Sequence, residues 1–235
     1  MSLPTPFIAY PTTNELQNNV RVLHDKLKAN TRESQSVVAT KLIQGAAHEL
    51  IETFFVGLIA DLQAAGQVAA YRDAESMVRE IDDKLTYYLG WASSFFSNDR
   101  IRPAVDHYHA MMQQLPLAGD MHPHIAFAVS PALMQRAEQQ LPALLRGEAA
   151  DARESVEVLI AVIDEALTAL LIKPKQLMKF NFVVDKTLNG VISMTQSLAY
   201  RSLRKVGEQL PAAHQPVLAR HLRRFLFSDI AAQAA

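Results

Sequence analysis

Apolar residues recur every three or four positions along most of the chain, which is the spacing of one face of an α-helix. Leu16, Val20, Leu23 and Leu27 follow this spacing near the start of the chain. No segment shows the strict alternation of apolar and polar residues that indicates a half-buried strand. The pattern therefore predicts an all-α protein, a bundle of about seven to eight mostly antiparallel helices.

Capping residues and prolines divide this pattern into separate helices. Ser130-Pro131 begins the fifth helix, which Pro142 is expected to kink or end. The other predicted helices span about residues 12–29, 33–65, 72–96, 102–114, 151–172, 175–208 and 217–230. Residues 115–130 are predicted to form a loop. Residues 1–235 then make a single helical domain, with sub-lobes 12–146 and 148–235, divided at Gly147, as the alternative.

The first eleven residues contain three prolines and cannot be helical. They are predicted to form an extended N-terminal arm that lies over the bundle through Phe7, Ile8 and Tyr10. Thr12 and Glu15 have the spacing of a capping box, so the first helix is expected to begin directly after the arm.

Helices six and seven carry apolar residues seven positions apart, which is typical of a packing seam. Lys173-Pro174 is expected to break the chain between them, and the short link predicts an antiparallel hairpin. This hairpin is the predicted contact of a homo-oligomer. Helix seven also has a polar file, one turn apart, at Asn181, Asp185, Asn189 and Ser193. Gly190 beside that file predicts a close approach of another backbone.

Composition and charge narrow the functional classes. The chain is 49% hydrophobic and 20% charged, has a formal net charge of −1 and contains no cysteine. A thiolate metal site, a disulfide and a cysteine nucleophile are thereby excluded. Neither a signal peptide nor a membrane span is evident, so a cytoplasmic location is expected. The common nucleotide-binding and hydrolase motifs are absent, which favours a non-enzymatic protein with no cofactor.

Four of the eight histidines fall between residues 107 and 124. Asp106 and His109 are three positions apart and share one face of a helix. If the following loop folded back, His122 or His124 would complete a set of two histidines and one carboxylate, which suits a divalent transition metal. The alternative is that these are surface and loop histidines, some of which cap helix ends.

Basic residues are concentrated in the last third of the chain, whereas helix six is acidic. Mutual pairing between neighbouring elements or subunits is the simplest interpretation. The alternative is a site for a polyanion, formed by Arg201, Arg204, Lys205, Arg220, Arg223 and Arg224. Aromatic residues are not interleaved with these cations, which argues against nucleic acid as the partner.

Three functional hypotheses follow. The first is an interaction or regulatory protein that acts through protein contacts and assembles with itself through helices six and seven. The second is a bundle that binds a metal or a small ligand in the region from His107 to His124. The third is a regulator that binds a polyanion or a nucleic acid through the basic C-terminal helices.

Overall fold

Eight helices and a small β-sheet are present in the part of the chain described by a computed structural model, namely residues 6–117, 120–149 and 152–227. Six helices are continuous α-helices; five of them are α1 (Asn14–Lys28), α3 (Ala69–Ala92), α4 (Asn98–Met111), α5 (Pro131–Leu145) and α8 (Gln215–Arg223). The long helix α7 spans Phe182–Glu208. Helices α2 and α6 are each interrupted by one π-helical turn. The fold is therefore mostly helical, as the apolar spacing predicts.

The two π-helical turns lie inside α2 and α6. Helix α2 covers Ser36–Ala65 and contains the π-turn Glu52–Val56. Helix α6 consists of Arg153–Leu167, the π-turn Thr168–Ile172 and Lys173–Leu177. Side chains of other elements donate hydrogen bonds to carbonyl groups of both turns. His221 donates to Phe54, and His107 and Tyr108 donate to Ala169 and Leu170.

The prediction of an all-α fold is wrong in one respect, because four strands form an antiparallel sheet. The strands are β1 (Phe7–Pro11), β2 (Met112–Leu117), β3 (Asp120–Ala128) and β4 (Leu226–Phe227). Their order in the sheet is β2-β3-β1-β4. The predicted loop 115–130 is thus largely a β-hairpin, and the predicted last helix 217–230 ends at Arg223 before β4. Residues 1–5, Asp151 and the end of that predicted helix lie outside the described residues.

The N-terminal arm is a central strand and does not lie on the surface. Residues 7–10 are completely buried, and β1 pairs on one side with β3 and on the other with β4. The sheet protects the backbone of this segment, whose prolines prevent a helix. The first helix is capped by Thr13 and not by Thr12: Oγ1 of Thr13 accepts from the amide of Leu16 at 3.1 Å. Thr12 instead donates to Glu49.

Pro174 does not break the chain, contrary to the prediction. The π-turn directly before it changes the backbone hydrogen-bond pattern, and the helix continues through the proline to Leu177. The break comes later, where Lys179 has φ 48° and Asn181 caps α7 by accepting from Val184 at 3.0 Å. Asn181 is therefore a cap and not part of a helical file.

Helices α6 and α7 contact each other directly. Glu157 pairs with Arg204, and Asp164 accepts hydrogen bonds from Gln196 and Tyr200, so the two helices run in opposite directions at this contact. The prediction of a close approach at Gly190 is wrong. No atom outside its own stretch of helix lies within 4 Å of the position that a Cβ atom would take. A close approach is found instead at Gly207, where a Cβ atom would lie 2.7 Å from Cγ2 of Val156.

The main hydrophobic core draws residues from both of the predicted sub-lobes. Helix α8 packs on α5 and on the second half of α2. In the searched part of the chain one helix, Ser36–Ala65, is long and apolar enough to cross a membrane. Its most apolar window has a mean hydropathy of 1.3 and is 56% buried inside the protein. A core helix meets the same criterion, so this is weak evidence for a span.

Candidate functional site

A cleft of about 430 Å³ lies where the sheet, the π-turn of α2 and helix α8 meet. We call it the histidine cleft. It is lined by Pro11, Glu52, Thr53, Gly57, Pro116, His124, His221, Arg224, Phe225 and Phe227. Its volume is within the range of about 300–1,000 Å³ that is usual for small-molecule sites. The lining combines apolar walls with a few polar groups, which is the usual composition of a ligand site.

His124 comes to the cleft from strand β3. Its side chain is buried, and Nδ1 donates to the carbonyl of His122 at 2.9 Å. A carbonyl can only accept, so this contact places the ring proton on Nδ1 when the imidazole is neutral. The second nitrogen, Nε2, is then a lone-pair acceptor, and no described residue forms a hydrogen bond with it.

His221 comes to the cleft from α8, with the opposite tautomer. Its Nε2 donates to the carbonyl of Phe54 in the π-turn at 3.2 Å. Nδ1 is buried and has no hydrogen-bond partner. A buried acceptor without a partner costs about 1–3 kcal/mol. The cleft therefore contains two histidines that each have one nitrogen fixed by a carbonyl and one nitrogen unused.

Burial keeps both imidazoles neutral. Desolvation, with a smaller contribution from Arg224, lowers the pKa of His221 to about 4 against the opposing effects of the Phe54 carbonyl and Asp61. Desolvation also lowers the pKa of His124, with a smaller contribution from the neighbouring His122. Both rings can accept a hydrogen bond at neutral pH.

The remaining lining supplies charge and flat apolar surface. Glu52 is the first residue of the π-turn and is exposed. Arg224 directly follows α8 and pairs with Asp61. Nη1 of Arg224 lies 3.2 Å from Oδ2 of Asp61. The rings of Phe225 and His221 meet edge to face at 5.0 Å. π-turns are frequent at functional sites, and here the turn brings Glu52 and the Phe54 carbonyl to one place.

The four residues of the predicted metal site are divided between two places. Asp106 and His109 lie on α4 and face His24 of α1. The rings of His24 and His109 stack at 3.9 Å, and Oδ1 of Asp106 is 3.6 Å from Nε2 of His24. His122 is exposed on β3, whereas His124 is buried in the cleft. No three histidine or carboxylate side chains lie close enough to hold one ion within residues 6–117, 120–149 and 152–227.

Half of the predicted polyanion-binding residues form ion pairs within the chain. Arg204 pairs with Glu157 at 2.6 Å, Lys205 with Asp73 at 2.5 Å, and Arg224 with Asp61. The other three, Arg201, Arg220 and Arg223, are exposed. The pairing lowers the pKa of Asp73 and of Glu157 through hydrogen bonds from their cationic partners.

Sequence reasoning selected two residues of the cleft, His124 and Arg224, each for a different hypothetical site. It missed His221, because a single histidine among apolar and basic residues carries no motif. Glu52 also belongs to no motif, and His48, one helical turn before it, pairs in the structure with Asp82 at 3.1 Å. The signal that was available is weak: His221 lies on the apolar face of a helix, where a polar residue needs a partner.

Comparisons of the chain with protein-family models, with curated proteins and with solved structures found no match.

Proposed function

We propose that this protein binds a small organic molecule in the histidine cleft. The observation that carries the proposal is the pair of buried imidazoles, His124 and His221, each with an unused acceptor nitrogen beside a cavity of about 430 Å³. Nδ1 of His221 is fully buried without a partner, whereas Nε2 of His124 is in contact with solvent and can accept a hydrogen bond from a ligand. This function agrees with the second hypothesis from the sequence, although its centre is not the one predicted.

The lining favours a ligand with N–H donors. His124 offers a neutral acceptor at Nε2, and Glu52 adds a carboxylate. Hydrogen bonds from a cationic donor to a carboxylate are among the stronger ones. The walls formed by Pro11 and Phe225 are flat and apolar. The ligand class is therefore an amine or amidine attached to a flat apolar body.

Benzamidine is a suitable probe, and benzoate is its matched anion. We expect benzamidine to shift the ¹⁵N resonances of the His124 and His221 rings, because it would donate to Nε2 of His124 and lie against the ring of His221. Benzoate should shift neither resonance. Titration followed by histidine ring NMR measures both effects. Equal shifts with the two probes, or none with benzamidine, would overturn the proposal.

Substitution of the carboxylate separates binding from folding. Glu52→Gln should weaken benzamidine binding about tenfold, since a charge-assisted hydrogen bond contributes about 1.5–3 kcal/mol. Glu52 is exposed, so this change should leave the fold intact. Glu15→Gln, on the first turn of α1, is the control and should leave the affinity unchanged.

A second candidate function is self-association through the exposed side of α7; the first hypothesis from the sequence placed the contact on helices six and seven together. Phe182 is 76% exposed and Val183 is 68% exposed at the start of this helix. Large exposed apolar side chains that cluster mark contact surfaces. Helix–helix packing would then continue across two copies.

The oligomeric state tests this second candidate. We expect light scattering to give the mass of a dimer, and Phe182→Ser to shift the particle toward the 26.1 kDa of one chain. Val37→Ser removes a similarly exposed residue, 67% exposed, from α2 and should have no effect. A monomer at all concentrations would contradict the candidate.

A further inference from the structure

A second cleft, of about 390 Å³, lies between helices α5 and α8. We call it the α5 cleft. It shares no lining residue with the histidine cleft, and its volume is also usual for a small-molecule site. Two neighbouring residues are divided between the clefts, since Arg223 lines this one and Arg224 lines the other. Six residues line the α5 cleft: Glu138, Leu141, Pro142, Leu145, Arg146 and Arg223.

The floor of the α5 cleft is one stripe of helix α5. Its positions 138, 141, 142 and 145 are three or four residues apart and therefore share a face of the helix. Leu141 and Leu145 are half-buried, and Pro142 is exposed. The helix continues through Pro142 to Leu145, although proline has no N–H for the carbonyl four residues before it. The carbonyl of Glu138 thus lacks its usual helical donor and can accept a hydrogen bond from another group.

The charged side chains of the lining are open to solvent and incompletely paired. Glu138 and Arg223 are exposed, and neither forms an ion pair or a side-chain hydrogen bond with a residue in the described part of the chain. Arg146 is 59% exposed, and its Nε donates to Oε2 of Glu148 at 2.5 Å. This contact uses one of the five N–H groups of the guanidinium. The cleft therefore presents two guanidinium groups and one free carboxylate to a ligand that arrives from water.

This combination of charges disfavours ligands that carry a single sign. A polyanion would be repelled by the carboxylate of Glu138, and a simple cation would be repelled by the two arginines. A molecule with both signs has a partner for every group, because a guanidinium binds a carboxylate through two parallel hydrogen bonds and a carboxylate accepts from an ammonium group. The two half-buried leucines add apolar surface that a ligand side chain can cover.

We propose that the α5 cleft binds an α-amino acid with an apolar side chain. Arg223 and Arg146 bind the ligand carboxylate. Glu138 accepts hydrogen bonds from the ligand ammonium group, both through its carboxylate and through its free carbonyl. The ligand side chain lies on Leu141 and Leu145. This site is independent of the histidine cleft and of the function proposed for it.

Titration with L-phenylalanine, followed by backbone ¹H–¹⁵N NMR, tests the proposal. N-acetyl-L-phenylalanine has no ammonium group and L-phenylalaninamide has no carboxylate, so each keeps only one of the two charges. We expect each of them to bind about fivefold more weakly than L-phenylalanine, which is the contribution of one exposed ion pair. The amide shifts should appear at residues 138–146 and 223, and the ring resonances of His124 and His221 should not move.

Two substitutions assign the ligand charges to their residues. Arg223→Gln should weaken the binding of L-phenylalanine about fivefold and leave that of L-phenylalaninamide unchanged, because the amide has no carboxylate to lose a partner. Glu138→Gln should weaken L-phenylalanine by a similar factor and leave N-acetyl-L-phenylalanine unchanged. Both residues are exposed, so the fold should stay intact. Arg220→Gln removes an exposed arginine one turn earlier on α8, outside the lining, and is the matched control.

Equal affinities for L-phenylalanine and its two blocked forms would overturn the proposal, because binding would then depend on apolar contact alone. An affinity for L-phenylalanine that is the same in Arg223→Gln, Arg220→Gln and the unaltered protein would also overturn it. The failure of benzamidine at the histidine cleft would leave these measurements unaffected, since the two clefts have no residue in common.

Discussion

Replacement of Gly207 by alanine should lower the free energy of unfolding by about 2 kcal/mol, although alanine is the better helix former. Gly207 lies near the end of α7, where this helix packs on α6. A Cβ atom would lie 2.7 Å from Cγ2 of Val156 and 3.2 Å from its Cβ. Val156 is buried and branched at Cβ, so its side chain is stiff in a helix. The two helices would have to separate, and urea denaturation measures the cost.

The same substitution at Gly190 is the control, because it lies on the same helix in open space. There alanine should raise the free energy of unfolding by up to about 1 kcal/mol. Val156→Ala should recover part of the loss in the Gly207→Ala background, with a coupling energy of about 1–2 kcal/mol. Equal effects at the two glycines would show that helix propensity and not packing decides at Gly207.

The helices could be predicted from the sequence because their signal is local. Each long helix repeats its apolar residues every three or four positions, and this spacing survives whatever the helix packs on. Prolines were less reliable as boundaries. Pro174 looks like a break in the sequence, but a preceding π-turn lets the helix pass through it. No property of residues 168–172 distinguishes a π-turn from an α-helical one.

The sheet could not be predicted because its signal is not local. Strand β1 has five residues, and its partners β3 and β4 lie more than one hundred positions away. All of residues 7–10 are buried, so the strand shows no alternation between an apolar and a polar face. Only the pairing across the sheet explains why a segment with prolines at both ends is in the core.

The candidate site was missed for a related reason. The histidine cleft draws Glu52 from a helix, His124 from a strand and His221 from the last helix. Sequence proximity instead grouped His124 with His122, His109 and Asp106, which the fold directs to different places. The residues of a site are found by spacing only when one element supplies most of them, as in a metal-binding helix.

Acid should destabilise the protein through His221. Burial lowers the pKa of this histidine in the folded protein to about 4, whereas the unfolded chain has the ordinary value of 6.5. Above pH 6.5 both states are neutral, and the pKa difference has no effect. As the pH falls from 6.5 to 4, the unfolded state binds a proton that the folded state does not. The difference corresponds to about 3 kcal/mol of lost stability, which levels off below pH 4.

The variant His221→Gln isolates this contribution. Glutamine keeps an N–H that can donate to the Phe54 carbonyl but does not titrate in this range. Arg224 and Asp61, the charges that act on His221, are unchanged. Urea denaturation of both proteins at several pH values gives two curves, and their difference removes the contributions of the carboxylates and of His109 and His124. We expect the wild-type curve to fall more steeply between pH 6.5 and 4; parallel curves would show that His221 is protonated without cost, and that its ring is not held neutral for a ligand.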